Sequence, residues 1–305
     1  YNNLMFGHYA GSSTTSGYNN IYLGANAGQH TSSGYNNVAI GYQSGYCMYT
    51  GYENVCIGHQ AGRHMKDAYR NTFIGYQSGY HAGRNTSGTE YATYNNMTLG
   101  YKAGYHMSSA IESTLLGAHA GYNITTGSRN CCIGSDAGYY INTGYINTCI
   151  GIQAGQSITT GYENTCIGRH AGRCITTQYY NTCIGYRSGE KISGHSNTCI
   201  GRYAGHNMTG CSQNVAIGSH ALRYCTNSNN VAIGQYAGYH NYGDSHNVSV
   251  GYYAGYGNGT NNSTSNYNVN IGDQAGRHIN TGEGNINIGR HAGYHNYTGG
   301  YNLMI

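Results

Sequence analysis

Residues 162–194 read YENTCIGRHAGRCITTQYYNTCIGYRSGEKISG, and the second half restates the first. Asn-Thr-Cys-Ile-Gly stands at 164–168 and again at 181–185, each time followed four residues later by a second Gly. Repetition at a fixed short period is the mark of a solenoid, so the whole chain was cut on this frame. Cutting two residues before each framework Asn gives seventeen complete units and a fragment, 300–305, and thirteen of the seventeen are 17 residues long. The units beginning at Tyr179 and Ser212 are one residue short, whereas 69–93 carries eight extra residues and 245–265 carries four. The repeats run from end to end, which predicts a single continuous repeat domain over 1–305, with inserted loops near 80–93 and 256–265.

Within a unit numbered 1 to 17, the residue types assign the corners. Position 7 is Gly in every complete unit, and position 11 is Gly except at Leu222. A third Gly recurs at position 17, as in Gly17, Gly34, Gly51 and Gly144. Glycines at such spacing mark tight corners. Between them lie two short segments. Position 6 is apolar throughout and position 4 is apolar or Thr, so 4 and 6 share one face of a strand and position 5 takes the other. Position 14 is Met or Ile in many units. The expected fold is all-β, a parallel β-solenoid (β-roll) of about 18 rungs with two short strands per rung. Which strand face points inward is left open by the pattern.

Composition agrees. Fifty Gly, no Pro and 8% charged residues describe a chain in which nearly every backbone N–H is needed for pairing. The net charge of +4 is scattered, so neither nucleic acid nor membrane insertion is expected. Asn3, Asn20, Asn37, Asn54 and Asn71 occupy position 3, and stacked rungs would join them into an amide ladder.

Asn36-Asn37-Val38-Ala39-Ile40-Gly41, with its counterparts at 213–218 and 229–234, resembles the NSVAIG-type repeat of YadA-like heads in trimeric autotransporter adhesins, with related repeats in phage and viral tail fibres. The resemblance implies a left-handed β-roll, three identical chains side by side and a surface that binds host matrix or receptors. The longer unit and the high Tyr and Cys content depart from that family.

Cys132, Cys149, Cys166, Cys183 and Cys199 share position 5 on consecutive rungs, a stack of small thiols facing some packed surface. Rung spacing near 4.8 Å exceeds the usual Cβ separation in a disulfide. Sixteen His scatter over corner positions without acidic or Cys partners, so no metal and no cofactor is expected. No nucleophile–base or phosphate-loop pattern stands out, which predicts a protein that is not an enzyme. Tyr recurs at positions 1 and 12, where stacked rings would pack between rungs or chains, or stack on surface glycans. Sequons at Asn85, Asn258, Asn261 and Asn262 fall in the two inserted loops and are the accessible glycosylation candidates. The ends, Leu4-Met5-Phe6 and Leu303-Met304-Ile305, resemble each other and suggest head-to-tail stacking of copies.

The functional expectation is a structural subunit of an extracellular or virion-surface fibre, partnered by itself as homopolymer or homotrimer. A trimeric receptor-binding adhesin or tail-fibre shaft is the first alternative. An ice-binding solenoid, suggested by Thr125-Thr126, Thr159-Thr160 and Thr176-Thr177, is the second.

Overall fold

A computed structural model describes residues 2–83, 93–257 and 265–305. Most of both inserted loops, and with them Asn85, Asn258, Asn261 and Asn262, lie outside the described residues. The chain divides into two compact units, Tyr1–Gly161 and Tyr162–Ile305, each a parallel β-solenoid with no helix among the described residues.

The first unit carries one three-residue strand per rung, from Leu4–Phe6 through Val38–Ile40 to Thr148–Ile150. The second repeats this from Thr165–Ile167 to the two-residue Leu303–Met304. Register never slips. Leu4 lies opposite Ile21, Val38 opposite Val55 and Thr165 opposite Thr182. Thr72 lies opposite Met97 despite the longer unit between them, so the insertion is absorbed outside the strand.

One strand per rung, rather than two, corrects the expectation from sequence. The segment after position 14 bends because three successive N–H groups converge on a single carbonyl. The amides of Thr15, Ser16 and Gly17 all point to the Ser32 oxygen, at 2.9, 3.1 and 3.3 Å. Those of Asn142, Thr143 and Gly144 converge on Thr159 in the same way. A ladder needs alternate amides pointing in opposite directions, and convergence forbids it. Among the described residues, only Asn207–Met208, Tyr224–Cys225 and His240–Asn241 extend far enough to form a second, two-residue ladder.

The Gly corners follow from rung spacing as much as from dihedral freedom. At Gly24, φ is +135°, and an added Cβ would lie 2.7 Å from the Gly41 carbonyl oxygen of the next rung. Two further positions are left-handed without being Gly. Position 2 holds Asn19, Asn36, Glu53 and Arg70 at φ 54–55°, and position 9 holds Asn26, Gln43, Gln60 and Gln77 at φ 50–57°. Such a backbone costs about 1–2 kcal/mol per residue. Bonds between rungs offset part of it: Gln60 Nε2 donates to Gln43 Oε1 at 2.8 Å, and Gln77 Nε2 to Gln60 Oε1 at 2.7 Å.

Position 5 points inward, and the core is built from pairs of position 5 with position 14. Tyr22 goes with Thr31, Ala39 with Met48, Phe73 with Ala82 and Leu115 with Ile124, all fully buried. In the first three of these pairs a large side chain faces a smaller one, which evens out the volume per rung as close packing demands, whereas Leu115 and Ile124 are both large. Cys is the middle-sized choice, and Cys56 Sγ sits 3.2 Å from Met65 Sδ. The exception at position 11 fits this rule. Its rung holds only Ala216 and Cys225, and Leu222, 1% exposed, fills the remaining space while accepting a φ of 43°.

Candidate functional site: outward face and aromatic ladders

Because position 5 faces in, the apolar residues at positions 4 and 6 face out. Leu4 is 57% exposed, Met97 44% and Leu99 43% in the first unit, with Ile271, Ile286 and Ile288 near 40% in the second. Val38, Ile40, Val55 and Ile57 are half-buried by their neighbours on adjacent rungs. The outcome is a continuous stripe of Val, Ile, Leu and Thr along the sheet of each unit, with no part of the described chain laid over it. At the ends, Phe6, Leu303 and Ile305 continue that face, whereas Met5 and Met304 are partly buried on the inner side.

The Cys column is interior. Cys132 lies opposite Cys149 in the first unit, and Cys166, Cys183 and Cys199 lie in register in the second, all as free, buried thiols. Burial pushes the Cys56 thiol up to about 12. Hydrogen bonds to Cys166 and Cys199, with burial added, hold Cys183 well above the usual thiol range. Such thiols pack and do not attack.

The Asn column forms a directional amide ladder. Asn37 Nδ2 donates to Gly51 O at 2.8 Å and to Asn20 Oδ1 at 3.2 Å, and the Asn37 amide donates to Asn20 Oδ1 at 2.9 Å. Asn3, Asn54 and Asn71 sit in the same chain of bonds. Ser113 is the one substitute: its Oγ accepts from the Asn130 amide at 3.2 Å, while its own amide still donates to Asn96 Oδ1.

Tyr forms face-to-face columns on the surface. Tyr18, Tyr35, Tyr52, Tyr69 and Tyr94 stack with centroids 4.8–5.1 Å apart, and Tyr80, Tyr105, Tyr122 and Tyr139 stack at 5.0–5.2 Å. Ring faces cover one another, leaving mainly the edges to solvent, so a sugar finds few faces to stack on. Ile111 and Ser128 interrupt the first column and leave a shallow depression, also lined by Thr126, Arg129, Thr143 and Tyr145. At four rungs position 12 holds Arg in place of Tyr, at Arg63, Arg173, Arg223 and Arg277. Arg63 stacks over Tyr46 and Tyr80 at 5.1 and 5.7 Å and donates to Tyr80 Oη at 3.1 Å.

Histidine exposure varies, from the buried His170 and His220 to the exposed His8, His59 and His291. His64, His81 and His106 stack at 5.5 Å on successive rungs. Burial lowers the pKa of His106, His240 and His278. Among the described residues no group of three or more His, Cys, Asp or Glu is placed to hold a metal ion. Glu190 is a buried carboxylate that the sequence did not single out: it is 6% exposed and accepts from His206 Nε2 at 3.0 Å, with Arg187 at 3.6 Å. Its position 12, in register with Arg and His on neighbouring rungs, was the only signal. The Thr pairs 125–126, 159–160 and 176–177 occupy the bent segment, not a flat face. Regular outward Thr appears instead at position 4, where Thr165, Thr182 and Thr198 stand in register.

In comparisons with known proteins, the chain matches no family model, no curated protein and no solved structure.

Proposed function

We propose that the chain is a structural subunit of an extracellular or virion-surface fibre, in which copies pack side by side through the outward stripe of positions 4 and 6. The observation that carries this is the orientation of the strand. One or two apolar side chains per rung remain outside, each having about 1 kcal/mol still to gain from burial. A second copy presents the same side chains at the same pitch of about 4.8 Å, so the two stripes meet rung for rung. Apolar surface of this extent marks an interaction site.

Mass per length by electron microscopy tests the reading. About 17 residues per 4.8 Å is roughly 0.4 kDa/Å for one copy. Two or three times that value supports side-by-side packing, three being the adhesin or tail-fibre arrangement, while a single-copy value refutes it. Val38→Lys with Val55→Lys places charge on the stripe without touching the core, and assembled particles are expected to give way to single copies.

The outward Thr165, Thr182 and Thr198, each followed by an outward Ile, favour ice binding as a second reading. Absence of thermal hysteresis in the purified protein would dismiss it. For surface glycans the best seat is the depression beside Tyr145, which is 41% exposed. Tyr145→Ala is expected to abolish any retention on immobilised glycans, and unchanged retention removes this seat.

A further inference from the structure

The tyrosine columns hold a chemistry that packing does not use. In the first ladder, Tyr18–Tyr35, Tyr35–Tyr52, Tyr52–Tyr69 and Tyr69–Tyr94 are separated by 5.1, 5.0, 5.0 and 4.8 Å and inclined by only 3–6°. In the second, Tyr80, Tyr105, Tyr122 and Tyr139 are inclined by 6–7°. Backbone register fixes each ring against its neighbour, and all of these rings reach solvent in part. Competing donors of single electrons other than tyrosine are few: the chain has no Trp, and eight of its eleven Cys are buried.

We propose that the two ladders are sites of oxidative tyrosine cross-linking, in which a one-electron oxidant fed by hydrogen peroxide joins phenol rings of successive rungs. Each phenol gives up one electron and its hydroxyl proton. The two phenoxyl radicals then join through one new C–C bond between ring carbons ortho to the oxygens. Those two carbons lose their hydrogens as the oxygens regain theirs. In sum, two C–H bonds become one C–C bond, and the two protons and two electrons released convert one hydrogen peroxide to two waters. Holding the partners in place makes the coupling intramolecular, which raises its rate over random encounter. The rings are only partly buried, and in the second ladder His81 and His106 lie edge-on against Tyr105 and Tyr122, each at 5.1 Å. The product is a covalent staple between rungs that are otherwise joined only by the running chain, hydrogen bonds and packing. The proposal stands on ring geometry and does not depend on the fibre reading.

The test treats dilute, intact protein with a haem peroxidase and hydrogen peroxide, and reads dityrosine fluorescence together with cross-linked peptides by mass spectrometry. Cross-links are expected between adjacent ladder rings, such as Tyr35 with Tyr52 and Tyr105 with Tyr122, within one molecule and at a rate independent of protein concentration. Phe keeps the stack but cannot couple. Tyr52→Phe leaves two of the four pairs of the first ladder, so its cross-links are expected to fall about twofold. Tyr35→Phe with Tyr69→Phe leaves none, while the second ladder is unchanged and serves as the internal control. Cross-links mainly between molecules, an unchanged yield in the double variant, or the same peptide pattern from denatured protein would each overturn the proposal.

Discussion

Replacing Phe73 by Ala tests the rule that positions 5 and 14 share one volume. Phe73 and its partner Ala82 are both fully buried. Ala82 cannot reach into the space that the ring leaves, so Phe73→Ala opens a cavity and is expected to cost about 3–5 kcal/mol. Ala82→Met alone overfills the rung, at about 1–3 kcal/mol. Together the two changes recreate the Ala39–Met48 pair found two rungs earlier, also fully buried. The double variant should therefore lie within about 1.5 kcal/mol of the parent, a coupling of at least about 2.5 kcal/mol between the sites. Thermal melting gives the total, and hydrogen exchange at the strand Thr72–Ile74 localises it, which matters because solenoids need not unfold in one step. If the double variant loses as much as the single changes added together, the two positions do not share a volume and the account of the core fails.

Asn54→Ala removes the acceptor used by the Asn71 amide and Nδ2, and the donor to the Ala68 carbonyl. A loss of about 2–4 kcal/mol is expected in denaturant melts, with Asn54→Ser milder because Ser113 already works in that column. Leu222→Gly relieves a left-handed Leu but empties the core, and a net loss of about 2 kcal/mol is expected; a more stable variant would contradict the filling role. Burial holds His106, His170, His206, His220, His240 and His278 below the ordinary histidine pKa. The unfolded chain thus takes up protons first, near pH 6.5, so stability is full above that value and falls as the pH drops through it toward the folded pKa values. Melting midpoints between about pH 8 and 5 should show this decline, and a flat profile would count against it. Finally, a thiol reagent should label exposed Cys174 in the native protein and then the partly exposed Cys47 and Cys131, reaching the buried Cys56, Cys132 and Cys183 only in denaturant.

The period made the columns legible before any coordinates. Once Asn20, Asn37 and Asn54 are known to recur every 17 residues, stacked rungs must bring them together, and the amide ladder follows from their chemistry. The same holds for Tyr18, Tyr35 and Tyr52 and for the Cys column. Leu222 and Glu190 could not be read in this way, because each departs from its column for a reason that lies on a neighbouring residue or rung.

What the repeat by itself determined is which residues are equivalent, where the chain must turn, and that strands pair in parallel and in register. These follow because identical units can share hydrogen bonds only with copies of themselves at a constant offset. What tertiary structure alone decided is which side of the strand is inside. A three-residue strand alternates only once, and Val38-Ala39-Ile40 suits either orientation. The coil closes by turning position 5 toward position 14, across an interior with room for one side chain from each. That choice hides Ala, Cys and Phe, and it leaves Val and Ile on the surface from which a fibre would be built.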